Sequence, residues 1–316
     1  MAPAAPPQSE RTSTGIAAQG LRHVYRGGTV ALDGIDLEFG IGLFGLLGPN
    51  GAGKSTLMRI MCTLLVPTEG SVTVGGHDVV RERHAVRRLL GYLPQEFGAW
   101  RLQRVEEVLD TLALLSGMRD KSVRREKVAA ILEQVGLQDV TDRKVKKLSG
   151  GMVRRLGVAQ ALVHDPPIII VDEPTVGLDP EERLRFRQLM ATLSKDRIIV
   201  LSTHIVADLG SSCNDLALID AGKIVFRGSP AELVSRARNQ VFELDVDTSA
   251  EADLGPNIEI VSRIREADKT RIRGVSADGK LPAGARPVDN PTLEESYLSF
   301  MAARGRVEAA LVEEGA

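Results

Sequence analysis

Short runs of apolar residues alternate along the chain with longer segments in which apolar residues recur every three or four positions. The apolar runs occupy 41–47, 168–171 and 197–203, and their length is typical of buried strands. A run such as 168–171, apolar at every position, indicates a central strand of a parallel sheet. Helical spacing is found in further segments, at 57–65, 105–115, 123–135 and 153–162. This alternation predicts an α/β fold.

The distribution of these elements predicts three regions within one domain that covers 16–230. The first region, 16–94, is rich in strands, and the second, about 95–163, is mainly helical. In the third, 164–230, strands and helices alternate, which implies right-handed βαβ crossovers in a parallel sheet.

The chain changes character on both sides of this domain. Residues 1–15 are rich in proline and alanine and are predicted to form a disordered leader. Residues 231–316 are predicted to form a small accessory domain of strands and helices. Polar and apolar residues alternate there like half-buried strands at 241–246 and 258–264, and a loop is predicted at 283–287.

A glycine-rich segment lies between the strand 41–47 and the helix 57–65 and fits the pattern G-x-x-x-x-G-K-[ST]. The backbone N–H groups of such a loop cradle phosphates at a helix N-terminus. Lys54 is predicted to reach the β- and γ-phosphates, and Ser55 to offer its hydroxyl to Mg²⁺. The candidate nucleotide-binding residues of this loop are Gly48, Pro49, Asn50, Gly51, Ala52, Gly53, Lys54, Ser55 and Thr56.

Two acidic residues follow the apolar run 168–171. Unpaired carboxylates at the end of a buried strand are costly unless a cation lies beside them. A nucleotide with bound Mg²⁺ supplies that cation. Asp172 is therefore predicted to hold the metal through water, and Glu173 to act on the γ-phosphate as general base or to position the attacking water.

Residues 148–151, Leu-Ser-Gly-Gly, add a third motif between the other two. In this order the three motifs resemble the nucleotide-binding subunit of an ATP-binding cassette (ABC) transporter, and the resemblance covers about 16–230. It implies a P-loop NTPase cassette with a mainly parallel sheet, an antiparallel β subdomain and a helical subdomain. A small α+β extension would follow this cassette.

The resemblance assigns the Leu-Ser-Gly-Gly segment to a helix N-terminus that faces the γ-phosphate held by a second copy. Ser149 suits a helix N-cap, and Gly150 and Gly151 allow close approach of the backbone. Met152 stands where the family has glutamine, so the amide of that side chain is missing here.

Four further residues match smaller elements of the family. Gln95 occupies the position of a metal ligand that also senses the membrane partner. His204 follows the strand 197–203 and resembles the family's histidine that contacts the γ-phosphate. Its position supports this role, because the carboxyl ends of parallel strands face the ligand crevice. Asp179 resembles a residue that crosses the dimer interface. Tyr25, which lies 29 positions before Lys54, resembles the aromatic residue that stacks on adenine.

The resemblance implies an ATPase that uses ATP and Mg²⁺ and works as a dimer, either with a second copy of this chain or with a paralogous ATPase. Lys54, Glu173 and His204 would be catalytic, and Ser55, Gln95 and Asp172 would hold the metal. Integral membrane subunits would form the transport pathway, because no segment has the roughly 18 consecutive apolar residues of a membrane span. The N-terminus lacks the pattern of a secretory signal. The chain is therefore expected as a peripheral protein at the cytoplasmic face of the cell membrane.

Charge and cysteine content change this picture little. The net charge is −2, so no overall field favours nucleic acid, and none is expected as a partner. A cluster of basic residues is interpreted as a solvated face, and it contains Arg143, Lys144, Lys146, Lys147, Arg154 and Arg155. Cys62 and Cys213 have no metal-site spacing, and Cys62 is predicted to be a buried thiol.

The end of the chain narrows the resemblance to bacterial exporters of drugs, antibiotics or lipids. Residues 292–300 resemble the T-L-E-x-x-F-L ending of that branch, with Tyr297 in place of the commoner phenylalanine. An importer ATPase is an alternative. A soluble ABC ATPase that acts on ribosomes or DNA is another, although the chain has one cassette, no long heptad run and no cysteine cluster. The Leu-Ser-Gly-Gly segment argues against a third alternative, a non-transport P-loop enzyme such as a kinase or small GTPase.

Overall fold

The computed structural model describes residues 15–95, 98, 100–209, 212–247, 254–255, 257–266 and 269–305. It divides after Arg227 into two compact units, and each is described by itself below. The predicted leader, except for Gly15, lies outside the described residues.

The first unit contains most of the strands and helices. Its strands are β1 (Ile16–Val24), β2 (Val30–Phe39), β3 (Gly42–Leu47), β4 (Glu69–Val74), β5 (His77–Asp78), β6 (Leu90–Leu93), β7 (Ile168–Asp172), β8 (Ile198–Thr203), β9 (Cys213–Asp220) and β10 (Lys223–Gly228). Its helices are α1 (Lys54–Met61), α2 (Arg83–Leu89), α3 (Val105–Leu115), α4 (Lys121–Gln134), α5 (Gly150–Leu162) and α6 (Pro180–Leu193). Within the described residues, no helix is both long and apolar enough to cross a lipid bilayer.

A six-stranded sheet has the order β10-β9-β3-β8-β7-β6. Its strands pair in parallel from β9 across to β6, as the continuous apolar runs predict. β7 and β8 are buried at every position, because helices must cover both faces of such a sheet. Leu47 lies opposite Thr203 and Asp172 opposite Ser202, so β3, β7 and β8 end at the same edge of the sheet.

A second sheet, β2-β1-β4-β5, is antiparallel throughout. Its inward residues, such as Leu21 and Ile35, share one core with α1 and with the parallel sheet. Leu57 and Met58 of α1 lie in this core and are 1% or less exposed. Cys62 follows α1 and is a buried free thiol, as predicted. The cassette fold predicted from the sequence is confirmed in both sheets.

The region predicted as helical contains α3, α4 and α5 between β6 and β7. Asp120 caps α4 by accepting the N–H groups of Ser122 and Val123. This helix ends at Gln134, and Gly136 takes a positive φ of 66°, which favours glycine after a helix. Each of these ends follows from local sequence.

The second unit contains an antiparallel sheet with the order β12-β13-β11-β14. Its strands and helices are α7 (Pro230–Arg236), β11 (Val241–Asp247), β12 (Ile258–Glu266), β13 (Lys269–Ser276), β14 (Arg286–Pro287) and α8 (Leu293–Ala302). Thr292 and Glu295 form a capping box at the start of α8, within the predicted ending 292–300. The loop predicted at 283–287 is interrupted by β14, which pairs with Phe242 and Glu243 of β11.

Candidate active site

The glycine-rich loop connects β3 to α1 and follows a path that only glycine permits at two positions. A Cβ at Gly48 would lie 2.2 Å from the carbonyl oxygen of Ile219. Gly53 has a φ of 111°, and a Cβ there would lie 2.5 Å from the carbonyl oxygen of Ala31. Gly53 is also the N-cap of α1, so no side chain caps this helix, and its first turn contains no acidic residue. The N-terminus of α1 is therefore suited to an anion such as phosphate.

Lys54, the first residue of α1, places its ammonium inside the loop. Its Nζ donates to the carbonyl oxygens of Gly48 at 2.6 Å and Pro49 at 3.1 Å. It also lies 3.3 Å from Oε1 of Glu173, and both side chains are almost fully buried. The loop thus holds a buried positive charge beside the end of β7.

Glu173 follows the last residue of β7 and has a φ of 45°. This backbone conformation is uncommon for a residue with a Cβ, and such strain is concentrated at functional sites. It is held there by Ser202, whose carbonyl oxygen and Oγ both accept the Glu173 N–H at 3.1 Å. The carboxylate is therefore fixed from the backbone as well as through Lys54.

His204 lies directly after β8, at the same edge of the sheet. Its Nδ1 is 2.9 Å from Oε2 of Glu173, and its side chain is 35% exposed. The turn that carries it is held by Asp208, which accepts the hydroxyl of Thr203 at 3.0 Å. Lys54, Glu173 and His204, predicted from separate motifs, are therefore joined by direct contacts.

Asp172 ends β7 with its side chain buried beside the same cluster. Its Oδ1 accepts the hydroxyl of Ser202. The pKa of the nearby Cys62 thiol lies well above its usual value. Burial of the thiol is the larger cause, and the negative charge of Asp172 raises this pKa further. Ser202 was not predicted, although a hydroxyl at the end of an apolar run was its signal.

The oxygen-rich surroundings fit Mg²⁺ carried by a nucleotide. Mg²⁺ takes oxygen ligands and keeps several waters, so one or two protein ligands suffice beside phosphates. Within the described residues, no group of three or more His, Cys, Asp or Glu side chains is arranged to hold a metal alone. Asp172 and the hydroxyl of Ser55, at the start of α1, provide the donor types such an ion needs.

Tyr25 lies just after β1, and its hydroxyl is 3.0 Å from Oγ1 of Thr56 in α1. This contact places the ring beside the helix that starts at the glycine-rich loop. His23 packs edge-on against Tyr25, with ring centroids 4.7 Å apart. Tyr25 is 38% exposed, so it remains accessible to a ligand.

The Leu-Ser-Gly-Gly segment forms the start of α5, as predicted. Ser149 is the N-cap and accepts the N–H of Met152 at 3.2 Å. A Cβ at Gly151 would lie 2.8 Å from side-chain atoms of Glu182, so a larger residue there would displace that side chain. Ser149 and Gly150 are exposed, and no hydrogen bond or ion pair in the described part of the chain joins them to Lys54 or Glu173.

Asp179 and Gln95 are also outside the cluster of Lys54, Glu173 and His204. Asp179 is the N-cap of α6, where it accepts the N–H of Glu182 at 2.8 Å. Gln95 is exposed, and its backbone carbonyl accepts a hydrogen bond from Arg154 at 2.7 Å.

The basic cluster is only partly a solvated face. Its four members before the Leu-Ser-Gly-Gly segment are exposed, but the interpretation is wrong for Arg154, which is 9% exposed, and for Arg155, whose side chain is 13% exposed. Arg154 points inward and donates to backbone carbonyls of two loops. The residues next to Arg154 in the sequence do not predict that its side chain is buried.

The chain is similar to known proteins in both sequence and fold. The family model described as ABC transporter matches residues 32–176. The daunorubicin/doxorubicin resistance ATP-binding protein DrrA of Streptomyces peucetius is 36% identical over 268 residues, which cover 81% of this chain and 79% of that protein. The Nod factor export ATP-binding protein I of Cupriavidus metallidurans is 38% identical over 221 residues, which cover 69% of this chain and 72% of that protein.

Solved structures show the same fold. The dimeric structure of MJ0796, a bacterial ABC transporter cassette, has a TM-score of 0.63 at 25% identity and covers 68% of this chain and 98% of that chain. The structure of cbiO1 from Clostridium perfringens, part of an ABC transporter complex, has a TM-score of 0.63 at 26% identity and covers 70% and 90% of the two chains. The chain belongs to the ABC transporter family, as an ATP-binding subunit that hydrolyses ATP.

Proposed function

We propose that this ATPase powers export of a drug-like, antibiotic or lipid-like compound through separate integral membrane subunits, with Glu173 as the general base. The observation that carries the assignment of the base is the contact of one carboxylate with both Lys54 and His204 at the ends of β3, β7 and β8. A base must be held by fixed neighbours within reach of the water it activates. Glu173 is held in this way, and its carboxylate faces the phosphate loop.

Lys54 and the N-terminus of α1 form the phosphate-binding part of the proposed site. When triphosphate is bound, the Lys54 ammonium exchanges part of its contact with the carbonyl oxygens of Gly48 and Pro49 for phosphate oxygens. Residues 50–56 provide backbone N–H groups, and Tyr25 provides a ring for the adenine. Positioning and charge neutralisation dominate phosphoryl transfer, so these groups account for most of the barrier reduction.

We propose Mg²⁺ as the metal, held by the Ser55 hydroxyl, Asp172 through water, and the Gln95 side chain. Bound there, the ion neutralises charge on the β- and γ-phosphate oxygens. Ser202 keeps the Asp172 carboxylate oriented through their hydrogen bond. The carboxylates of Asp172 and Glu173 come from one strand end, so a single backbone path would position both the proposed metal ligand and the proposed base.

We propose that the working form is a dimer, of two copies or of this chain with a paralogous ATPase. Exposure of Ser149 and Gly150 at the N-terminus of α5 supports this, because that helix end is free to face a phosphate held by the partner. Asp179, at the N-terminus of α6, is the residue we assign to the dimer interface. A γ-phosphate between the two chains then joins them until it is cleaved.

The proposed docking site for the membrane subunit is a groove of about 500 Å³ in the helical region. It is lined by Trp100, Arg101, Leu102, Gln103 and Thr111. Trp100 is 41% exposed and Leu102 is 71% exposed, and their position together in one concave site supports a protein interface here. We assign this groove to a short helix of the membrane partner on the cytoplasmic side of the membrane.

The direction of transport is proposed from relatives and from the chain's end. DrrA is named for daunorubicin and doxorubicin resistance, and the Cupriavidus protein for Nod factor export. The ending at 292–300, which forms α8, resembles the same branch. These observations favour export over import and over a soluble ATPase of ribosomes or DNA.

The test of the base is Glu173→Gln. The amide is isosteric, so MgATP binding is expected to persist while turnover falls by about 10²–10⁴-fold, the usual contribution of general base catalysis. ATP-dependent dimers should then accumulate on size exclusion, because the γ-phosphate that joins them is not cleaved. Near-normal turnover without added dimer would contradict the assignment. Glu232→Gln, at an exposed capping box in the second unit, is the matched control and should hydrolyse ATP normally.

A further inference from the structure

Arg154 joins two loops that belong to different strands. From the second turn of α5, its guanidinium donates to the carbonyl oxygens of Pro94 at 3.2 Å and Gln95 at 2.7 Å. The same guanidinium donates to the carbonyl oxygens of Glu173 at 2.5 Å and Pro174 at 2.7 Å. One side chain therefore contacts the segment after β6 and the segment after β7 at the same time.

The chemistry of Arg154 suits this position. Its planar guanidinium offers five N–H donors in a fixed arrangement, which an ammonium cannot reproduce. Burial lowers its pKa from the usual value, and the carboxylates of Asp172 and Glu173 act in the opposite direction. A buried cation is tolerated where several hydrogen bonds and nearby negative charge compensate its desolvation. Arg154 meets both conditions, at 9% exposure.

We propose that Arg154 is a positioning residue that holds the backbone of Glu173 in a fixed relation to the Gln95 segment. A displacement of the Gln95 segment then moves the guanidinium and, through it, the carbonyl groups of Glu173 and Pro174. Because Arg154 lies on α5, which begins at Ser149, the orientation of this helix acts on the same two loops.

This proposal explains how Glu173 keeps a strained backbone. Its N–H is held by Ser202 on one side, and its carbonyl oxygen is held by Arg154 on the other. With both ends of the residue fixed, the carboxylate is directed at Lys54 and His204 despite the positive φ. The loss of either anchor allows the carboxylate to leave the reacting geometry. A displacement of about 1 Å at such a site costs on the order of 10²-fold in rate.

The inference rests on the proposed role of Glu173 as base, and the experiment separates the two. Arg154→Met and Arg154→Lys are made in the full chain, and kcat, KM for ATP and ATP-dependent dimer formation are measured. For Arg154→Met we expect kcat to fall by about 10²-fold while KM changes less than about threefold, since Lys54 and the phosphate loop are untouched. ATP-dependent dimers should accumulate, as in Glu173→Gln. Arg154→Lys should recover part of the loss, because an ammonium reaches some of the four carbonyls.

A merely structural role for Arg154 predicts a different result. A damaged α5 would impair the Ser149 helix end and abolish ATP-dependent dimers instead of causing them to accumulate. The control is Arg124→Met. Arg124 is similarly buried and donates to the carbonyl oxygens of Met118 and Arg119, away from the site. Its loss should lower stability but leave kcat per folded molecule unchanged.

The double variant Glu173→Gln/Arg154→Met completes the test. If Arg154 acts through Glu173, the double variant should have the same residual turnover as Glu173→Gln, because the effects of residues that act as a unit do not add. A further loss equal to that of Arg154→Met alone would overturn the inference while leaving Glu173 as base. Near-normal turnover of Glu173→Gln itself would instead refute the proposed function.

Discussion

His204 Nδ1 lies 2.9 Å from Oε2 of Glu173, while the other carboxylate oxygen lies 3.3 Å from Nζ of Lys54. The carboxylate is thus shared between a buried ammonium and a partly exposed imidazole. Among the three side chains of this described cluster, the imidazole is the most exposed to solvent, because Lys54 and Glu173 are almost fully buried. We therefore expect His204 to help orient the carboxylate of the proposed base on the side from which water can approach.

The first prediction concerns His204→Ala. Removal of the imidazole leaves one carboxylate oxygen of Glu173 without its neighbour, so kcat should fall at least about tenfold, while nucleotide affinity, which depends on Lys54, should be little changed. Steady-state ATPase assays and nucleotide titration measure the two quantities. His84→Ala, at an exposed position in α2, is the control. Equal turnover of the two variants would remove His204 from the mechanism.

A second prediction tests whether the site is shared between two chains. Lys54→Ala should weaken nucleotide binding because the phosphates lose their buried cation. Ser149→Arg should leave binding to the single chain intact and block the dimer by steric and charge conflict at the exposed start of α5. Each variant alone is expected to lack ATPase activity.

Mixed together, the two inactive variants should recover part of the activity. In a hybrid dimer one site contains both lesions, and the other contains an intact phosphate loop and an intact Ser149 helix end. ATPase assays across mixing ratios should show a maximum near equal amounts. Full activity of Ser149→Arg alone would show that the start of α5 takes no part in catalysis.

The parallel sheet and the Lys54, Glu173 and His204 cluster could be predicted from the sequence because their signals are local. Each residue lies in a glycine-rich turn or within two positions of the end of an apolar run, and parallel strands bring such ends to one edge. Ser149 as the N-cap of α5 was equally predictable, because a hydroxyl before two glycines and an apolar stripe is a local helix signal.

The role of Arg154 could not be predicted in this way. Its partners are backbone carbonyls that lie about 60 and 20 positions away along the chain, and a carbonyl leaves no mark in the sequence. In the sequence, a buried arginine that lies near exposed basic residues cannot be distinguished from an arginine exposed to solvent. The distinction depends on the packing of α5 against the two loops that Arg154 contacts.

A third prediction concerns Tyr25 and separates its ring from its hydroxyl. Tyr25→Ala removes the proposed adenine stack and should raise KM for ATP by about tenfold, since stacking of a base on an aromatic side chain contributes about 1–3 kcal/mol. Tyr25→Phe keeps the ring and loses only the hydrogen bond to Thr56, so its KM should stay within about threefold of the wild type. Equal KM values for the two variants would rule out stacking on this ring.

The last prediction concerns the groove lined by Trp100 and Leu102 and the membrane partner proposed to bind there. Leu102→Glu replaces an exposed apolar side chain of the groove with a carboxylate. The variant should therefore no longer bind the membrane subunit, while its own ATPase activity persists. Leu115→Glu is the matched control, because Leu115 is as exposed but lies outside the groove lining. In cells that contain the membrane subunit, fractionation should find the wild type and Leu115→Glu with membranes and Leu102→Glu released. The same fractionation tests whether lipid charge holds the chain at the membrane. The chain has a net charge of −2, so attraction to anionic lipids contributes little, and salt washes should not release the wild type. Recovery of the wild type on ribosomes or nucleoid, with membranes empty, would instead favour the soluble ATPase alternative.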